Sequence, residues 1–234
     1  MKLFSIADLH LPARQKPMDI FGPHWENHFD KIARDWEKRV TDEDIVLLPG
    51  DLSWAMHLEE ALEDLEKIAC LPGRKILLRG NHDYWWSSIG KLRRALPEGM
   101  YALQNDSLYM DGILFGGSRG WTIPMGEGDT EADIKIYQRE RMRLEMSLGS
   151  GRDKYPEARL IALMHYPPRT AYADGFSDIL DRYGVSDCVY GHLHGPGIAG
   201  AVTGRCGGVR YHLVSCDSLG FQLLELPSKG MCDV

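Results

Sequence analysis

The stretch Lys75-Ile76-Leu77-Leu78-Arg79-Gly80-Asn81-His82-Asp83 sets the pattern of the whole chain. An apolar run at 75–79 stops at a glycine, and three polar side chains follow at once. A short run rich in Ile and Leu, with little alternation, marks a strand covered on both faces. The same arrangement recurs in both directions. Upstream, 45–49 runs into Gly50-Asp51 and 2–7 runs into Asp8-Leu9-His10. Downstream, 160–165 ends on His165 in Met164-His165-Tyr166-Pro167-Pro168, and 187–190 runs into Gly191-His192-Leu193-His194. A further run at 113–117 leads into a Gly-rich loop over 116–129.

Helical patterns lie between the early runs. Trp25, Phe29, Ile32 and Trp36 repeat at helical spacing, as do Leu58, Leu62, Leu65 and Ile68, with Pro72-Gly73 as a stop. Residues 85–95 read as a third helix and 130–148 as a fourth, with Ile134, Tyr137, Arg141, Leu144 and Leu148 on one side. Alternating strands and helices predict an α/β fold with parallel strands. Residues 209–216 and 221–226 read as two last strands, joined as a hairpin through Asp217-Ser218-Leu219-Gly220. With no repeat, linker or low-complexity tract, 1–234 is expected to be a single domain. Ligands of open α/β sheets bind outside the carboxyl ends of the strands. Asp8, Asp51, Asn81, His165 and His192 are therefore expected on one edge of the fold.

The 234 residues are 44% hydrophobic and 26% charged, which gives an ordinary globular chain with room for a core. A net charge of −7 argues against stable nucleic-acid binding, which needs a basic surface. It leaves a phosphorylated substrate open, because bound cations reverse the local charge. Cys70, Cys188, Cys206, Cys216 and Cys232 form no Cys-x-x-Cys pair and are odd in number, so they read as reduced thiols. No apolar run is long enough to span a membrane. A cleaved leader would remove Asp8. The expected location is cytoplasmic, with no membrane partner.

Asp-x-His in an extended segment points both side chains the same way, so Asp8 and His10 are expected to share an ion, and His192 and His194 to face a common site. Glycine before Asp51 and Asn81 permits a tight turn and a close backbone approach. Together the motifs offer carboxylate, amide and imidazole ligands for two divalent cations, the standard device for phosphate-ester hydrolysis. Asp51, central in the order, is the natural carboxylate to bridge them. A set of oxygen and nitrogen donors without thiolate suits manganese, iron or zinc.

The ordered series Asp8-x-His10, Gly50-Asp51, Gly80-Asn81-His82-Asp83, His165, Gly191-His192-x-His194 resembles the calcineurin-like metallophosphoesterase superfamily, with small bacterial-type phosphohydrolases nearest in pattern. The resemblance implies a four-layer α-β-β-α sandwich of two mixed β-sheets flanked by helices. It implies a first metal on Asp8, His10, Asp51 and His194, and a second on Asp51, Asn81, His165 and His192. It further implies a bridging hydroxide as nucleophile, His82 as the acid that protonates the leaving group, and Asp83 as the residue that orients or polarises His82. The implied substrate is a small phosphomonoester or phosphodiester, with a lean toward small phosphodiesters or nucleotides. Two other readings stand beside it: a non-catalytic metal-binding scaffold of the same fold, which should have lost ligands that are all present here, and a nuclease, which the acidity and short chain disfavour.

The departures are specific. The family often shows Gly-Asp-x-x-Asp, where this chain has Gly50-Asp51-Leu52-Ser53-Trp54. The Asp-Arg-Gly and Gly-Asn-His-Glu stretches usual in Ser/Thr protein phosphatases are missing. Outside the motifs, Arg119 in its Gly-rich loop is a candidate to clamp a phosphate oxygen, and Tyr166 a candidate to touch substrate. Lys135, Arg139, Arg141 and Arg143 alternate with acids and read as a solvated helix surface. His24, His28, His57 and His212 have no motif partner. Trp25, Trp36 and Trp54 read as packing; Trp85 and Trp86, so close to His82, are the best candidates for a stacking platform.

Overall fold

The computed structural model describes residues 1–12, 17–126 and 128–227. One five-stranded sheet runs in the order β11 (Leu224–Glu225), β1 (Leu3–Ser5), β2 (Ile45–Leu48), β3 (Arg74–Leu77), β4 (Met100–Ala102). The last four are parallel to one another, and β11 is antiparallel to β1. The second sheet has six strands, in the order β5 (Ser107–Met110), β6 (Ile113–Ser118), β7 (Arg159–Met164), β8 (Val185–Tyr190), β10 (Val209–Leu213), β9 (Gly204–Cys206). Its inner four strands are parallel and its two outer ones antiparallel to their neighbours.

Alternate residues of these strands serve different layers. Leu3, Ile45, Leu47 and Ile76 of the first sheet share a buried cluster with Phe115, Ile161, Leu163 and Val189 of the second. Phe4, Val46, Leu48 and Leu77 turn the other way, onto Ile32 and Trp36 of α1 (His28–Arg39) and Leu65 and Ile68 of α2 (Leu58–Ala69). On the far side, Leu114, Leu160 and Met164 meet Leu144 and Leu148 of α4 (Glu131–Arg152) and Ile179 of α5 (Ser177–Arg182). Both faces of the central strands are covered, which is why their sequences do not alternate. Each large aliphatic so buried contributes about 1.5–3 kcal/mol. The result is the four-layer α-β-β-α sandwich of two mixed sheets.

The structure corrects several expectations. The two last strands are not a hairpin: β10 belongs to the six-stranded sheet and β11 to the five-stranded one. The chain between them crosses from sheet to sheet, with Ala7 donating to Val214 O and Cys216 donating to Ala7 O. The third helix, α3 (Ile89–Ala95), begins after Trp85 and Trp86, which are buried and form no stacking platform. Strands β4, β5 and β9 went unforeseen because they are only three or four residues long. The described cysteines are all free thiols; Cys232 lies outside the described residues. Among the described residues, no helix is long and apolar enough to cross a membrane.

Candidate metal centre

The loops that follow β1, β2, β3, β7 and β8 meet at one edge. Asp8 N–H donates to Gly50 O (3.0 Å), His10 N–H to Asp51 O (3.0 Å) and Gly191 N–H to His165 O (3.2 Å). Strand β1 ends at Ser5, so Asp8 and His10 are not in extended backbone. Each takes a left-handed conformation, φ 61° and 45°, and so do Asp51 (55°) and His192 (72°). Non-glycine residues held there cost about 1–3 kcal/mol each, and such strain gathers at functional sites. Period-two alternation therefore gave the correct inward direction for Asp8 and His10 by the wrong route. Gly80 is needed for loop-to-loop contact, because a Cβ there would occupy the space of the Asp51 carboxylate. Gly191 stands in the same relation to Asp8.

Asp8, His10 and His194 form one group whose ligand atoms lie within 4.8 Å of one another, and Asp8, Asp51 and His165 form another. Asp51 Oδ2 lies 3.8 Å from His10 Nε2 and 3.5 Å from His165 Nε2. Asn81 Oδ1 lies 2.6 Å from His165 Nε2 and 2.9 Å from His192 Nδ1. His192 and His194 thus face different parts of the centre: His192 meets Asn81, whereas His194 Nε2 lies 3.6 Å from Asp8 Oδ1.

The hydrogen bonding around these side chains suits a cation. His165 Nδ1 lies 3.1 Å from Pro49 O, which only accepts, so the ring proton sits on Nδ1. The Nε2 lone pair then points at Asn81 Oδ1 at 2.6 Å, with Asp51 Oδ2 at 3.5 Å. Asp8 Oδ1 is buried with no hydrogen-bond partner. Among the described residues, the ion pairs of Asp8 and Asp51 are to histidines alone. Buried carboxylates need a cation or a full set of donors, and this donor set fits divalent metal.

Burial holds His165 and His10 down at about 3, so both rings are neutral at neutral pH. Burial, reinforced by the charges of Asp83 and Asp8, raises the Asp51 carboxyl well above its usual range. Burial also works against the His194 imidazolium, but its hydrogen bond to Asp217 and the nearby Asp8 carboxylate prevail and lift it to about 10. Without metal, His194 therefore keeps a proton that an arriving cation displaces.

Asp83 does not turn toward His82. Its carboxylate accepts from the N–H groups of Gly80 (2.7 Å), Asp51 (2.9 Å), Leu52 (2.9 Å) and Ser53 (3.5 Å) and from the Trp85 indole (3.0 Å). It ties the Gly50-Asp51 loop to the Gly80-Asn81 loop and so fixes two ligands at once. Sequence reasoning missed Asp217, whose Oδ1 accepts from His194 Nδ1 at 2.8 Å and whose Oδ2 accepts from Gly195 N–H at 3.1 Å. No motif flags it, because its position depends on the crossover between sheets. It also missed Trp54, which stacks on His10 at 4.7 Å between ring centroids.

The family model for calcineurin-like phosphoesterase matches residues 1–196, the span that holds every one of the motifs. The chain belongs to the calcineurin-like phosphoesterase family. Among curated proteins, no sequence matches it. Two solved structures share the fold of this phosphoesterase. A protein of unknown function from Aquifex aeolicus is 18% identical, over 96% of this chain and 95% of its own, with a TM-score of 0.52. A phosphopantetheinyl hydrolase from Mycobacterium tuberculosis is 15% identical, over 100% of this chain and 98% of its own, with a TM-score of 0.56. As a member of the family, the phosphoesterase is a metal-dependent hydrolase of phosphoric esters.

A cavity of about 370 Å³ opens over the centre of the phosphoesterase. His10, Asp51, His82, His192 and His194 line it together with Met18, Phe21, Trp25 and Trp54. The His82 ring stands 4.5 Å from that of Trp54, and the His82 backbone N–H donates to Asp51 Oδ1 at 2.8 Å. Tyr166 is buried, with its ring 4.1 Å from that of His192, so it packs against that imidazole. Arg119 does not line this cavity; its carbonyl accepts from His165 and Tyr166 N–H, and its side chain faces a second one. His28 bonds the backbone at Leu9 O at 2.7 Å, between Asp8 and His10, and His212 bonds Asp187 at 3.0 Å.

Proposed function

We propose that this chain, acting as one domain, hydrolyses a small phosphate ester, a phosphodiester or nucleotide, at a two-ion centre. The contacts of Asn81 Oδ1 with His165 Nε2 (2.6 Å) and His192 Nδ1 (2.9 Å), and of Asp51 Oδ2 with His165 Nε2 (3.5 Å), carry this reading, because they gather oxygen and nitrogen donors for a metal from four separate loops. Asp8, His10, Asp51 and His194 would hold one ion; Asp51, Asn81, His165 and His192 would hold the other. Manganese, iron and zinc suit the donors. Ions held there supply Lewis-acid charge and bring the pKa of water toward neutrality.

The side chains do the rest. Asp51, within 4 Å of a histidine from each set, is the shared carboxylate. His82, in the cavity beside Asp51, donates the proton that the leaving oxygen needs. Asp83 and Asp217 hold ligands in position. Met18, Phe21, Trp25 and Trp54 give the cavity an apolar, largely aromatic wall, which fits a flat or hydrophobic leaving group.

The test is turnover of nitrophenyl phosphate and bis-nitrophenyl phosphate by the manganese-loaded protein. Hydrolysis that a chelator abolishes and manganese restores is the expected result, and the preferred ester separates monoesterase from diesterase. A metal-replete protein inert toward both esters and toward a panel of nucleotides contradicts the reading.

A further inference from the structure

A second cavity, of about 240 Å³, lies behind the metal centre, and its lining is unusually cationic. Arg79 enters from the end of β3, Arg119 from the end of β6, and Arg139 and Arg143 from α4. These strand ends lie on the same edge as the metal ligands. Arg79 is two residues before Asn81, so their Cα atoms are no more than about 7 Å apart. The Arg119 carbonyl accepts from His165 N–H at 3.1 Å, so the cavity and the centre share backbone.

Among the described residues, only one of these four charges is held in an ion pair. Arg143 pairs with the buried Glu140 at 2.6 Å, which neutralises one of the four. The Nε atoms of Arg79 and Arg119 are buried with no hydrogen-bond partner. The Arg119 guanidinium rests over the Trp121 ring at 4.8 Å, which holds its plane without using its donors. Buried, unsatisfied guanidinium donors are costly, and a cavity that gathers them beside a phosphoesterase centre is built for an anion. The helix face carrying Arg139 and Arg143 is therefore not simply a solvated surface.

We propose that this arginine cavity binds a second phosphate of the substrate, so that the preferred ester is one carrying two phosphate groups, one cleaved at the metal centre and one held by Arg79, Arg119 and Arg139. The proposal rests on the phosphoesterase reading above. Guanidinium forks match phosphate oxygens in pairs, whereas the apolar wall of the first cavity offers a phosphate nothing comparable.

The experiment compares wild type with R79Q/R119Q, both loaded with manganese. Calorimetry with inorganic phosphate is expected to show two equivalents bound by wild type and one by the variant. Kinetics with adenosine 3′,5′-bisphosphate and adenosine 5′-monophosphate is expected to show a wild-type preference for the bisphosphate in kcat/KM. In the variant that preference should fall by at least about tenfold, the scale of one lost charge-assisted hydrogen bond. R139E, on the exposed rim, tests the same cavity without disturbing buried packing and should lower the preference in the same direction.

Equal losses on both nucleotides, or a wild type indifferent to the second phosphate, overturn the proposal. Two phosphates bound with an unchanged preference would mark a free-anion site and overturn the substrate assignment. The phosphate count does not depend on turnover, so an inert protein that loses one bound phosphate in R79Q/R119Q would contradict the phosphoesterase reading and leave the anion site standing.

Discussion

His194 Nδ1 and Asp217 Oδ1 are 2.8 Å apart, and this contact joins the last ligand motif to the chain that crosses between the two sheets. The carboxylate fixes the ring so that Nε2 faces Asp8. Partners of this kind set the tautomer and basicity of a ligand. Asp217→Asn is expected to weaken metal affinity or activity by about 10–100-fold while the fold is retained. Manganese titration followed by calorimetry checks this, and unchanged affinity would remove Asp217 from the centre.

The same contact sets a pH dependence. In the metal-free protein the His194 pKa is raised to about 10 from an ordinary 6.5. Its ion pair therefore stabilises the metal-free fold fully below pH 6.5, and the contribution is lost as pH rises through about 10. Metal must displace that proton. Manganese affinity is expected to rise with pH from 7 toward 10, with proton release detected as a dependence of the binding heat on buffer ionisation enthalpy. Affinity flat across this range would contradict the assignment of His194 as a ligand.

His82→Ala is expected to keep both metals and lose about 10²–10⁴ in kcat, the usual contribution of a general acid. The loss should be largest for alkyl esters and smaller for nitrophenyl esters, whose leaving group needs little protonation. Equal loss on both kinds of ester would point to binding rather than proton transfer.

Asp83 separates a structural role from a catalytic one. Its five donors come from Gly80, Asp51, Leu52, Ser53 and Trp85, so Asp83→Asn replaces one acceptor oxygen by an NH2 group facing N–H donors. Hydrogen bonds to a charged group are each worth about 1.5–3 kcal/mol. A clear fall in melting temperature is expected, together with loss of metal retention, because the loops bearing Asp51 and Asn81 separate. A stable variant with a shifted pH–rate profile would restore a polarising role toward His82.

The sequence carried the central strands plainly, because strands covered on both faces must be apolar throughout, and it placed each ligand motif where such a run ends. It carried less where structure depends on contacts distant in sequence. β10 and β11 look like hairpin partners until Val214 and Cys216 are seen flanking Ala7 in the other sheet. Asp83 sits next to His82 in the chain, yet its carboxylate is consumed by backbone N–H groups some 30 residues upstream. Trp54 stands where many relatives of the fold carry a second acid, and here it supplies a stacking face to His10 instead. Arg79 and Arg119 are 40 residues apart and become neighbours only because β3 and β6 end on the same edge.

The central claim is that two ions share Asp51, with Asn81 reserved for one of them. Metal content measured by mass spectrometry on manganese-loaded wild type and Asn81→Ala tests it most directly. The account expects two manganese per wild-type chain and one per variant chain, with hydrolysis lost in the variant. Fewer than two in the wild type, or two retained by Asn81→Ala, would contradict it.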